Sequence, residues 1–139
     1  FIIAAVTGQP ITIYGDGKQV RDMLFIDDLL DVYDAATARI DQVAGQVYNI
    51  GGGPANTISV WAEFGPMLER LHRQTIPVSH NNWRPGDQKV CVYDISKAMH
   101  DFDWVPKVNV PDGIERLYRW VSGNVDLFNN RKSQVLNRK

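Results

Sequence analysis

A chain of 139 residues, 44% hydrophobic and 22% charged, has the length and composition of one globular domain with a modest core. A net charge of -1 excludes a general polyanion binder, so no nucleic-acid partner is expected and any phosphate recognition must be local. The single cysteine, Cys91, excludes an internal disulfide and a multi-cysteine zinc site, and no apolar run reaches the ~20 residues of a membrane span.

In chain order, Phe1–Thr7 reads as the last turns of a helix stopped by Gly8 and Pro10. Ile11–Tyr14 is a short strand. Gly15-Asp16-Gly17 forms a turn whose glycines supply positive φ, and an extended stretch around Arg21 follows. A helix begins near Asp27, with Asp27 or Asp28 as its cap. Its apolar stripe is Leu29, Tyr33, Ala36 and Ile40, with Val32 beside it. Val47–Ile50 is predicted as a strand ending at the breaker Gly51-Gly52-Gly53-Pro54. Ser59 is predicted to cap a helix with Val60, Phe64, Met67, Leu68 and Leu71 on its apolar face, kinked or restarted at Gly65-Pro66.

Strands at Thr75–His80 and Lys89–Tyr93 flank a polar loop, Asn81–Gln88. Cys91 in the second of these reads as a small buried hydrophobe. A short helix runs from Asp94 or Ser96 to about Phe102, and Trp104–Lys107 is extended. Asp112, with Glu115 three residues on, is predicted to cap the last helix, whose stripe is Ile114, Leu117, Tyr118 and Val121. Periodicity is lost after residue 123, so 124–139 is predicted to be a disordered tail. Strands and helices alternate irregularly, which places the chain in the α/β or α+β class. The strands are few and short for the apolar helix faces they would have to cover. That, and an opening Phe1–Val6 that reads as the end of an interrupted element, predicts a fragment of a longer protein.

Two stretches could carry chemistry. In the first, the Gly15-Asp16-Gly17 turn is followed closely by Arg21. In the second, Trp83-Arg84-Pro85-Gly86-Asp87-Gln88, a Pro-Gly loop carries an arginine and an acid. A guanidinium fork suits a phosphate, and a carboxylate can accept from both hydroxyls of a ribose. Arg21 and Arg84 in preformed turns would make a diphosphate clamp, with Tyr14 stacked on a base. The alternatives are a hairpin with a surface arginine, an Arg84–Asp87 pair that only staples its loop, and a core role for Tyr14. Trp83 alone among the tryptophans is placed to line a ligand site. His72, His80 and His100 show no metal-ligand spacing.

Gly15-Asp16-Gly17-Lys18-Gln19-Val20-Arg21-Asp22, followed by Phe25-Ile26-Asp27-Asp28-Leu29, resembles the extended short-chain dehydrogenase/reductases that act on nucleotide sugars. So do Tyr48-Asn49-Ile50-Gly51, Arg84-Pro85-Gly86-Asp87, Asp94-Ile95-Ser96-Lys97-Ala98, and Trp104-Val105-Pro106 followed by Gly113-Ile114, in the same order. The resemblance runs over residues 1–122. Within that family, residues 49–57 and Arg84–Val90 are most similar to the CDP-tyvelose (CDP-paratose) 2-epimerases.

The resemblance implies an α/β chain that is the C-terminal substrate-binding lobe of such an enzyme and lacks most of its Rossmann domain. Residues 1–123 would be the nucleotide-sugar-binding lobe, with 27–50 returning to the Rossmann sheet. The intact enzyme would bind NAD on its N-terminal domain and invert a sugar centre by transient oxidation, at C2 of a CDP-sugar for a 2-epimerase. Arg21 and Arg84 would contact the diphosphate, Asp87 the ribose hydroxyls, and Tyr14 would pack near the base. Asn49 would support its strand end.

The glycine-rich dinucleotide fingerprint is missing: Gly51-Gly52-Gly53 is closed by Pro54 and lacks the spacing. The family's Tyr-x-x-x-Lys pair is missing too, because Tyr14 and Lys18 span the turn. The expectations are therefore no catalytic or cofactor-binding residue on this chain, no NAD bound to it, inactivity alone, and a cytoplasmic location. An apolar face left by the absent Rossmann domain would favour a homodimer or strand exchange. A 4-epimerase, a 4,6-dehydratase, a decarboxylase or a noncatalytic binding module remain as alternatives.

Overall fold

The computed structural model describes residues 1–129. Helix α1 (Ile2–Val6) leads into β1 (Ile11–Tyr14), and β2 (Val20–Asp22) follows the glycine turn. Gly15 and Gly17 both take the left-handed backbone, at φ 77° and 72°, and the Lys18 amide donates to Asp16 Oδ1 to close the turn. β1 and β2 do not pair with each other, so the stretch is not a hairpin. β1 pairs in parallel with β4 (Val78–Asn81), from Ile11 opposite Val78 to Tyr14 opposite Asn81. β2 is the middle of a second sheet, antiparallel to β3 (Thr57–Ser59) and parallel to β5 (Val90–Cys91). The chain therefore crosses between the two sheets twice in the same direction, once through residues 15–19 and once through 82–89. The Gly15 amide donates to the Asn81 carbonyl and the Val20 amide to the Lys89 carbonyl, which aligns the two crossings at both ends.

The helices are α2 (Ile26–Ala38), α3 (Ile40–Val43), α4 (Phe64–His72), α5 (Ser96–Phe102), α6 (Val110–Gly123) and α7 (Asp126–Asn129). One core packs Ile2, Ile13, Ile58, Phe64, Leu68, Ile114 and Val121 from α1, β1, β3, α4 and α6. A second packs Val32 of α2 against Ile95, Ala98, Phe102 and Trp104 around α5.

Several expectations are corrected. Val47–Ile50 forms no strand, because no described strand lies beside it; Val47 is 84% exposed. Thr57–Ser59, where only a helix cap at Ser59 is expected, is β3. Ser59 caps across a turn: its hydroxyl accepts from the Glu63 amide, and Glu63 accepts in return from the Ser59 amide. Hydrogen bonding from Ser59, from its backbone amide above all, holds the Glu63 carboxyl below the usual carboxylate range. The helix starts only at Phe64, so Pro66 sits in its first turn, where its missing N–H costs nothing.

Asn109, not Asp112, caps α6. Its side chain accepts from the Asp112 amide and donates to the Asp112 carboxylate, a reciprocal box three residues upstream of the expected one. Cys91 is half-buried because β5 lies at a sheet edge. After a turn at 124–125 the segment is helical from Asp126 to Asn129, and Phe128 packs edge-on against Trp120. The remainder of the expected tail, 130–139, lies outside the described residues.

Asp28 does not cap α2, which Phe25 precedes without a side-chain cap. It is 1% exposed, and its two carboxylate oxygens accept from the backbone amides of Lys107 and Val108, each at 3.0 Å. Its own carbonyl accepts from the Trp104 indole at 3.1 Å. One acid thus ties α2 to the segment that leads into α6. The opposite side of α2 is apolar and uncovered: Ile26, Leu30 and Tyr33, spaced i, i+4, i+7, are 55%, 54% and 62% exposed. Tyr33 belongs to this exposed side and Ile40, also exposed, opens α3 instead of extending α2; the inward stripe is Asp28 and Val32, with Leu29, Ala35 and Ala36 partly buried beside them.

Candidate functional site

The two aligned crossings bring all four candidate residues together. Arg21, on β2, bonds Asp87 of the second loop, with Nη2 2.9 Å from Oδ1. The pair is partly buried, with side chains 30% and 24% exposed. Arg84 does not pair with Asp87; it lies over the ring of Tyr14, 3.8 Å from guanidinium carbon to ring centroid. Each loop thus holds the other's charged group, and the alternative of an Arg84–Asp87 staple within one loop is excluded. The register explains the partnership: Tyr14 and Arg21 flank the first crossing, and Arg84 and Asp87 lie within the second.

Gln19 is a member of this cluster that the sequence reading passed over. It is 3% exposed, and its side-chain amide nitrogen donates to the Tyr14 carbonyl at 2.5 Å and faces Asp87 Oδ2 at 3.4 Å. Two acceptors fix the amide's orientation, which leaves Oε1 buried without a donor. The available signal was parity: Gln19, immediately before β2, and Arg21 are two apart in extended chain and share a face. Trp83 closes one side. A Cβ on Gly15 would lie 2.6 Å from its ring, so only glycine lets the indole pack over the turn.

Arg21 also borders an open cavity of about 440 Å³ between α1, β3 and α6. Phe25, Phe64, Ile114 and Trp120 are among its walls, which are nearly all apolar. Those walls offer a sugar or phosphate almost no hydrogen-bonding partner, and the four candidate polar residues lie together at the two-loop junction.

The glycine run Gly51–Gly53 has a structural use. The Gly53 amide donates to Asp22 Oδ2, and Gly52 packs directly on the Met23 carbonyl. A Cβ on Gly53 would fall 2.9 Å from Ile95. Protein atoms fill this cradle, so it does not fit the diphosphate of NAD. Among the described residues, no group of three His, Cys, Asp or Glu could hold a metal, and no helix is long and apolar enough to cross a membrane.

Outside the junction, Tyr48 donates to Asp101 at 2.8 Å; desolvation first, then this bond and the Asp101 charge, raise the phenol's pKa. Asn49 donates only at 3.5 Å, to the Asp94 carbonyl, and stays away from the junction.

A family model described as the NAD dependent epimerase/dehydratase family matches residues 1–51. The chain is 38% identical to a CDP-paratose 2-epimerase of Salmonella typhi over 114 residues, 82% of this chain and 33% of that protein. It is 33% identical to a UDP-glucuronate 4-epimerase of Thermodesulfobacterium geofontis over 89% of this chain and 37% of that protein. The structure superposes on a mutant UDP-glucuronic acid 4-epimerase of Bacillus cereus, solved with UDP-4-deoxy-4-fluoro-glucuronic acid and NAD. That match has a TM-score of 0.77 and 32% identity over 88% of this chain and 38% of the other. The chain thus spans between 33% and 38% of the length of these relatives. The matching family model, the relatives over most of this chain and the shared α/β architecture agree: the chain belongs to the NAD-dependent epimerase/dehydratase family, within the extended short-chain dehydrogenase/reductases.

Proposed function

We propose that this chain is the C-terminal, nucleotide-gripping lobe of a cytoplasmic nucleotide-sugar epimerase, with a CDP-sugar as substrate and C2 as the inverted centre. The carrying observation is the convergence of Tyr14, Arg21, Arg84 and Asp87 where the two crossings meet. Arg84 and Arg21 take the diphosphate, Asp87 accepts from the ribose hydroxyls, and Tyr14 backs Arg84 and borders the base. Residues 1–123 constitute the lobe. NAD and the reacting groups belong to a Rossmann domain outside this chain, and the lobe is catalytically silent without it. The likeness to a CDP-paratose 2-epimerase favours cytidine; the likeness to UDP-glucuronate 4-epimerases supports a second reading, a UDP-sugar 4-epimerase.

Calorimetric titration with CDP, UDP, dTDP and ADP tests both. CDP is expected to bind most tightly, and Arg84→Ala to weaken it at least tenfold, roughly the effect of losing a charge-assisted contact. A preference for UDP would move the assignment to the second reading. Binding that is indifferent to Arg84→Ala, or absent for every nucleotide, would overturn the clamp.

The exposed stripe Ile26, Leu30 and Tyr33 is proposed to be the docking face for the Rossmann domain, and in the isolated chain to be covered by a second copy. Sedimentation at micromolar concentration should show a dimer that Leu30→Glu converts to monomer. A wild-type monomer at that concentration would count against it.

A further inference from the structure

The bond that joins the two loops uses the same atoms that a nucleotide would need. Arg21 commits Nη2 to Asp87 Oδ1 and Nη1 to the Val20 carbonyl. Asp87 is engaged on both oxygens, by Arg21 on one and by Gln19 on the other. A bare phosphate approaching Arg21 meets a guanidinium already neutralised, with a carboxylate alongside that repels it. A neutral diol approaching Asp87 must compete with a cation. Arg84, held on the Tyr14 ring, has no carboxylate partner among the described residues, so it stands outside this pairing and can meet an anion first.

We infer that the Arg21–Asp87 pair is an exchange latch, which opens for ligands that carry both an anionic phosphate and a vicinal diol and resists ligands that carry only one. This rests on the nucleotide reading above. When phosphate oxygens take Arg21, Asp87 is released for the diol; when the diol takes Asp87, Arg21 is released for the phosphate. The two halves of the ligand are therefore positively coupled, and the coupling is reciprocal.

The test measures inorganic pyrophosphate, cytidine and CDP by calorimetry on the whole chain and on Asp87→Asn. Removing the carboxylate's charge while keeping its shape should raise pyrophosphate affinity by on the order of twofold to fivefold, the scale of a solvent-accessible ion pair. The same variant should bind CDP more weakly. In the unaltered protein, saturating cytidine should raise pyrophosphate affinity, whereas 2′,3′-dideoxycytidine should not; this second measurement does not depend on the variant folding. If wild-type CDP binding is intact and dependent on Arg84, but neither Asp87→Asn nor cytidine strengthens pyrophosphate binding, the latch is wrong and the nucleotide reading survives. If the wild type binds no CDP, both fall together.

Discussion

Gly52→Ala is expected to be strongly destabilising. The added methyl would fall inside the van der Waals contact of the Met23 carbonyl oxygen, 2.7 Å from its carbon and 2.9 Å from Asn56 Cβ. The first two obstacles are backbone, at the end of β2, and that end is fixed by the Met23 amide donating to the Asn56 carbonyl and by the Gly53 amide donating to Asp22. No side chain can swing aside, so the segments must separate. Overpacking of a rigid site costs about 3 kcal/mol or more, a large part of the roughly 5–15 kcal/mol that holds a domain together. Urea denaturation followed by tryptophan fluorescence should show the midpoint collapse. Gly123→Ala, with open space around it, should stay within about 0.5 kcal/mol of wild type. A Gly52→Ala protein with an unchanged midpoint would mean that this contact is not tight in solution.

The second large effect is expected at Asp28. Asp28→Ala removes the acceptor for two backbone amides, one of them buried, and leaves them with no other partner. An orphaned buried donor costs about 1–3 kcal/mol, and the Val108 amide is the buried one, so the loss should be about 1–3 kcal/mol. Asp28→Asn should rescue only part of it, because its amide nitrogen presents a donor where one of the two N–H groups needs an oxygen. Hydrogen exchange at Lys107 and Val108 offers a local readout: both amides should lose protection in Asp28→Ala. Protection that persists would show that another acceptor serves them.

These two residues also show where sequence reading reached and where it stopped. Local signals were enough for β1, the glycine turn and the start of α5, because apolar alternation and turn chemistry sit within a few residues. They also single out Tyr14, Arg21, Arg84 and Asp87 as candidates, by residue type and turn context, and the structure brings these four together. Which residue pairs with which was not legible. Arg21 bonds Asp87, 66 residues away, and only the parallel register of β1 with β4 and β2 with β5 decides that.

Asp28 was read as a helix cap because an acid at a helix start usually is one. Its position four residues before buried Val32 was the overlooked sign that it faces inward. The strand expected at Val47–Ile50 has the right composition but no described neighbour to pair with, and a strand exists only as a member of a ladder. β3 was missed for the converse reason: Thr57–Ser59 is too short to show alternation, and β2 makes it a strand.

Pinning both loops at both ends has a thermodynamic consequence. Residues 15–19 and 82–89 are each bounded by paired strands, and the Gly15–Asn81 and Val20–Lys89 hydrogen bonds lock the crossings to one another. The conformational entropy of ordering this backbone is therefore surrendered when the chain folds, before any ligand arrives. If the proposed ligand binds, only the rotamers of Arg21, Arg84 and Asp87 would remain to be settled, and restricting such side chains costs about 0.5–1.5 kcal/mol apiece. A junction of this kind can hold a small, strongly hydrated ligand with few contacts, because almost none of the interaction energy is consumed in organising the main chain.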